Sequence, residues 1–172
     1  MLMERLRRID KALYVHFFTS SCYHRRRLLD QDQSKRILLG VLNDEVEECD
    51  ARCVGFVVTP DHVRALIWFS RTGQLSRFMQ QWKGHSSKGI KQFLWEAVPA
   101  YAARFPRSDP IRKVRLYSFK VYSPAKIEEN LTYMHLNPVR AGLASKAVEW
   151  RWSSARWYIE GRTVGVPIQW AD

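Results

Sequence analysis

Two short apolar runs flanking Thr59-Pro60-Asp61 constrain this chain more than any other feature. Proline presets φ and aspartate can bond its own backbone, so the tripeptide is turn chemistry. The runs on either side, Cys53–Val58 and His62–Phe69, therefore read as the strands of a hairpin. In the second run, alternation sends His62, Arg64, Leu66 and Trp68 to one face. Val63, Ala65, Ile67 and Phe69 face the other way and read as core.

The remaining elements arrange themselves around that hairpin. Ala12–Ser21 is β-branched and aromatic and reads as a strand. Ser34–Cys49 carries Ile37, Leu38, Val41, Leu42 and Val46 at helical spacing. Leu75, Phe78, Met79, Trp82, Ile90 and Phe93 mark a longer helix whose second half Gly84 and Gly89 weaken. Residues 96–113 read as an irregular link, and Val114–Val121 as a further strand. Ser123 and Pro124 then open a last helix, as N-cap and first-turn proline, that runs toward Asn137-Pro138. The order β-α-β-β-α-β predicts an α+β fold of the ferredoxin-like, split-βαβ kind. An antiparallel sheet carries helices on one face, and a final helix and tail follow. One domain is expected over residues 1–143, with 144–172 as an appendage packed on it.

Charge gives the first functional pointer. The 172 residues carry a net charge of +11. Residues 1–60 nearly balance, with 10 basic and 9 acidic side chains, whereas residues 62–120 hold 12 basic ones against only Glu96 and Asp109. A concentrated positive field is relieved by an anionic partner, most commonly nucleic acid. No apolar run approaches the roughly 20 residues that span a bilayer, so no membrane partner is expected. The N-terminus lacks the apolar core of a signal peptide. Cys22, Cys49 and Cys53 lack metal or disulfide spacing, which fits a reducing cytoplasm, with the protein held at the nucleoid by its charge.

Two places hold residues suited to chemistry. His62 and Arg64 sit together at the mouth of the hairpin. On the last helix, Ile127, Leu131 and Met134 form the buried stripe, while Tyr133 lies off it with Asn137 four residues on. The residues alone also allow Tyr133 to be a half-buried aromatic and Asn137 a helix-end residue.

Three stretches carry a resemblance: VVTPDHVRALIWF (57–69), RLYSFKVYSPAKIEENLTYMHLNPVRAGL (115–143) and WRWSSARWY (150–158). They are similar to the REP-associated tyrosine transposases, members of the HUH single-tyrosine (IS200-like) group, whose tyrosine helix reads close to Y-M-H-x-N-P-V-K/R-x-G-L. The resemblance implies that a tyrosine hydroxyl attacks a DNA phosphodiester, leaving a 5′-phosphotyrosine and a free 3′-OH, and that strand transfer reverses the step. Tyr133 matches the nucleophile. Mg²⁺ or Mn²⁺ is implied as cofactor, held by two histidines of the hairpin and a polar residue of the helix. Those positions are His62, Arg64 and Asn137 here. The implied ligand is a single-stranded DNA hairpin; whether the protein is a monomer or a homodimer is left open.

Arg64 departs from that pattern, because a guanidinium cannot ligate a cation and stays protonated. Either Arg64 contacts the phosphate itself, or another donor completes the metal site, or the chain is a non-catalytic nucleic-acid-binding module. Ser118 and Lys120 depart as well, from Asp and Asn. The expected phosphate track comprises Arg64, Arg77, Lys83, Lys88, Lys91, Arg112, Lys113, Arg115, Lys120 and Arg140. Trp150, Trp152, Trp157 and Tyr158 are expected mainly to pack the tail, with base stacking as the other use. No G-F/Y-G-F-like stretch of a sheet-face RNA reader is present.

Overall fold

The computed structural model describes residues 15–113, 115 and 117–170. Strands β1 (Val15–Ser21), β2 (Ala51–Thr59), β3 (His62–Phe69) and β4 (Tyr117–Val121) form one sheet in the order β2-β3-β1-β4. Every pairing is antiparallel. Helix α1 (Asp32–Glu48) connects β1 to β2, and α2 (Leu75–Ala97) follows β3. A one-turn helix, α3 (Pro99–Ala102), stands inside the link expected to be irregular; Pro99 opens it, where a missing N–H costs nothing. Helix α4 (Pro124–Arg140) comes after β4, and α5 (Ala155–Glu160) lies in the tail. The fold is thus the expected α+β arrangement. Residues 12–14, 114 and 116 of the first and last expected strands lie outside the described residues.

The alternation along β3 divides the core as the sequence implies. Val63, Ala65, Ile67 and Phe69 pack with Phe18 of β1 against Leu38, Leu42, Phe78 and Trp82 of α1 and α2. Leu66 points to the opposite face, where it meets Phe17, Val57, Ile127, Leu131 and Met134. Helix α4 is therefore laid across the face of the sheet that α1 and α2 leave free. Each such apolar side chain contributes about 1.5–3 kcal/mol on full burial. This stripe holds the helix, so Tyr133 is free to stand 44% exposed.

Helix α2 runs unbroken through Gly84 and Gly89, as the longer helix expected there. A Cβ on Gly89 would come within 2.9 Å of Ile37, so the residue buys close contact with α1. Helix α4 passes through Pro138 to Arg140, losing one backbone bond near its end, where carbonyls are being freed anyway.

The tail lies along β2. Val58 N donates to Trp152 O at 2.8 Å, Ser154 N to Phe56 O at 3.0 Å, and Trp150 Nε1 to Val58 O at 2.8 Å. Trp152 is buried, and Trp150, Trp157 and Tyr158 pack against the core, so these rings bind the tail rather than project from it. At the other end of the sheet β4 pairs, among the described residues, with β1 alone.

Candidate active site

The hairpin turn builds one wall of the site. Thr59 and His62 face each other across Pro60-Asp61, and His62 is buried. Its Nδ1 lies 2.7 Å from both Asp61 Oδ1 and Thr59 Oγ1, while Nε2 lies 3.0 Å from Asn137 Oδ1 on α4. Each neutral tautomer makes one of the two contacts a hydrogen bond and sets two acceptors against each other at the second. With the proton on Nε2, the ring donates to Asn137 and accepts the Thr59 hydroxyl, while Nδ1 faces the Asp61 carboxylate. With it on Nδ1, the ring donates to Asp61, and Nε2 and Asn137 Oδ1 face each other with lone pairs.

Burial holds the His62 pKa below its ordinary value; Asp61 opposes that shift and the Arg64 charge adds to it. For Asp61, burial works upward, but the hydrogen bond and charge of His62 and the Arg25 ion pair at 3.0 Å leave it lowered overall. The result is an ionised aspartate beside a neutral imidazole at pH 7.

Arg64 lies two residues along the same strand face and stacks on the Tyr133 ring, its guanidinium carbon 5.1 Å from the centroid. Arg140 stands 5.2 Å from the same centroid. Tyr133 is thus flanked by two cations. Among the described residues, the buried Nη1 of Arg64 has no hydrogen-bond partner. An orphaned guanidinium donor next to an exposed phenol is suited to an anionic oxygen brought in from solution. A groove of about 650 Å³ opens there, bordered by Arg64, Tyr133 and Arg140.

The donor set does not suit a resident divalent cation. His62 and Asn137 supply two neutral ligands, and the third family position carries a guanidinium whose charge repels a metal. Among the described residues, no cluster of three His, Cys, Asp or Glu side chains could hold one.

The other basic residues fall into two groups. Lys83, Lys88, Lys91, Arg112 and Lys113 line a second groove of about 830 Å³ between α2 and the approach to β4. Arg112 is only 4% exposed, stacks 4.2 Å over Trp82 and leaves Nη2 without a partner. Burial pushes its pKa down to about 10, so it remains charged at neutral pH. Arg77 is exposed outside that groove, near enough to Cys49 to influence its thiol. Arg115 and Lys120 are exposed, Lys120 on the β4 face that carries Ser118 toward the α2 groove.

The resemblance grouped His62, Arg64, Tyr133 and Asn137, and the structure brings these four together and adds Arg140 beside Tyr133. Sequence reasoning missed Thr59 and Asp61 as partners of His62, although the turn that places them was legible. It also missed Tyr117 and Phe119, which border the tyrosine groove; alternation along β4 was the available signal.

This architecture, a four-stranded antiparallel sheet presenting a tyrosine helix to a histidine-bearing hairpin, defines a class. A family model described as "Transposase IS200 like" matches residues 10–103, and the chain belongs to that family. The matched span includes the hairpin and ends before α4. A REP-associated tyrosine transposase bound to a REP hairpin has the same fold, at 18% identity and a TM-score of 0.66. That match covers 92% of this chain and 86% of the other. A candidate transposase from Deinococcus radiodurans R1 superposes with a TM-score of 0.52 at 17% identity, over 70% of this chain and 88% of that one. A search of curated proteins finds no match.

Proposed function

We propose that the chain binds a single-stranded DNA hairpin and cleaves and rejoins it through Tyr133. The observation that carries this reading is the approach of both Arg64 and Arg140 to the Tyr133 ring, one helical turn before the Asn137 that contacts His62. The phenolic oxygen forms a bond to phosphorus as the P–O3′ bond breaks. The phenol gives up its proton to solvent, and the departing 3′-oxygen takes one up. A 5′-phosphotyrosine ester results, which conserves the bond for attack by another 3′-OH. The half-buried Arg64 guanidinium meets a non-bridging oxygen, and Arg140 adds positive charge beside the developing anion. The neutral His62–Asn137 pair holds α4 against the hairpin turn. In the second groove, Lys83, Lys88, Lys91, Arg112 and Lys113 carry the hairpin backbone by phosphate contacts.

The second reading, a binding module without cleavage, draws on one observation: Arg64 stands where a metal-binding histidine is expected. Incubation with end-labelled hairpin DNA, followed by denaturing electrophoresis, separates the two. The expected result is a covalent protein–DNA band that Tyr133→Phe abolishes while hairpin affinity stays within about twofold, since only a hydroxyl is removed. Tight binding with no covalent band from the native chain would establish the second reading.

A further inference from the structure

The groove beside Tyr133 has an aromatic floor that the cleavage chemistry does not use. Alternation along β4 turns Tyr117, Phe119 and Val121 toward the α4 side. Val121 is buried at 4%, Phe119 is 36% exposed and Tyr117 68%, so the face emerges into solvent along the strand. Phe119 stacks on Phe17 of β1, with centroids 4.8 Å apart and planes 23° from parallel. Tyr117 meets Phe119 edge-on at 5.7 Å. These rings line the same groove as Arg64, Tyr133 and Arg140.

A cluster of exposed rings rimmed by polar residues marks a binding groove. The groove's charge selects the occupant. Among the described residues, Glu129 is the one acidic side chain that lines the groove and is paired with Lys126 at 2.7 Å, whereas Arg64 keeps a donor without a partner. An aromatic floor beside cationic donors matches a nucleotide, with its base on a ring and its phosphate on the guanidinium. A base paired within a duplex cannot offer its face, so the complementary chemistry is that of an unpaired one.

We propose that Tyr117 and Phe119 form a stacking floor for an unpaired nucleobase adjoining the phosphodiester presented to Tyr133. This rests on the DNA-cleaving or DNA-binding reading above and names the part of the substrate that enters the groove. The floor holds the strand single and in register while the hairpin stem lies elsewhere. Stacking is tolerant of base identity, so the floor sets position more than sequence.

The test places 2-aminopurine at successive positions of the single-stranded flank of a hairpin oligonucleotide and mixes each with the full chain. Hairpin affinity is followed separately by fluorescence anisotropy. Quenching is expected at one or two adjacent flank positions. Tyr117→Ala should remove it and weaken binding of the flanked hairpin about tenfold, while leaving a flankless hairpin unaffected. Tyr117→Phe should retain both effects, because stacking needs the ring and not the hydroxyl. Tyr117 is the residue to vary, since truncating Phe119 would also undo its packing on Phe17. Normal hairpin affinity with no position-specific quenching, or quenching indifferent to Tyr117→Ala, would overturn the stacking floor and leave hairpin binding standing. Absence of binding to hairpin and single strand alike would overturn both. Dimerisation in sedimentation velocity that Tyr117→Ala abolishes would assign the rings to a second copy of the chain and overturn the proposal.

Discussion

At the scale of single residues, Arg64 decides what kind of site this is. Position 64 already shares the strand face of His62, so a histidine there needs no backbone change. Arg64→His would add a third neutral donor near His62 and Asn137 and remove a fixed charge from beside an incoming cation. Mn²⁺ affinity, followed by electron paramagnetic resonance titration, is expected to rise about tenfold or more over the native chain, the scale on which the supporting groups of a metal site act. Equal or weaker binding would contradict the placement of these three residues as one constellation. Because Arg64 itself supplies the positive charge, the native chain is also expected to form its DNA adduct in EDTA. Strict dependence on added metal would mean that other ligands hold a cation.

At the scale of elements, the site depends on how closely α4 approaches β2. The β2–β3 register shifts between Cys53 and Gly55, and a Cβ on Gly55 would clash with Leu131 and come within 3.0 Å of Ser154 Oγ. Gly55→Ala should therefore lift α4 and loosen the His62–Asn137 contact. The expected loss is about 1–3 kcal/mol in urea unfolding, with reduced adduct formation in the fraction that stays folded. A variant as stable as the native chain would contradict this packing. The same helix is tied to the tail by His135, whose Nε2 lies 2.8 Å from Ser154 Oγ. Burial pushes its pKa down to about 4 from 6.5. The unfolded chain thus binds the proton more tightly, so stability is present above pH 6.5 and is lost as pH falls toward 4. The loss is expected at up to about 1.4 kcal/mol per pH unit within that window. His135→Gln should flatten this part of the stability profile, and an unchanged slope would assign it to other groups. His135 showed no ligand spacing in the sequence, and its bond to Ser154 was not legible because the two meet only after the tail folds back along β2.

At the scale of the whole molecule, the fold was legible because the hairpin turn, the alternation of β3 and the helical stripes all agree on one layered arrangement. Local pattern also placed His62, Arg64, Tyr133 and Asn137 on the correct faces. What it could not supply were meetings across elements, such as Arg140 and Arg64 both against one phenol, or five basic residues around one groove. The latter predicts a salt effect. Changing Lys83, Lys88 and Lys91 together to Ala should weaken binding of all single strands alike and reduce the slope of log affinity against log salt by about 2, at roughly 0.7 per phosphate contact. An unchanged slope would remove this groove from the DNA path. The central claim is that Tyr133 becomes covalently joined to DNA, and the most direct test is mass spectrometry of the trypsin-digested adduct. Cleavage after Lys126 and Arg140 releases Ile127–Arg140, which contains Tyr133 as its one tyrosine. The predicted result is that this peptide, after nuclease trimming, carries the mass of a 5′-linked nucleotide at Tyr133; a nucleotide carried instead by Tyr117 or Tyr122 would contradict the claim.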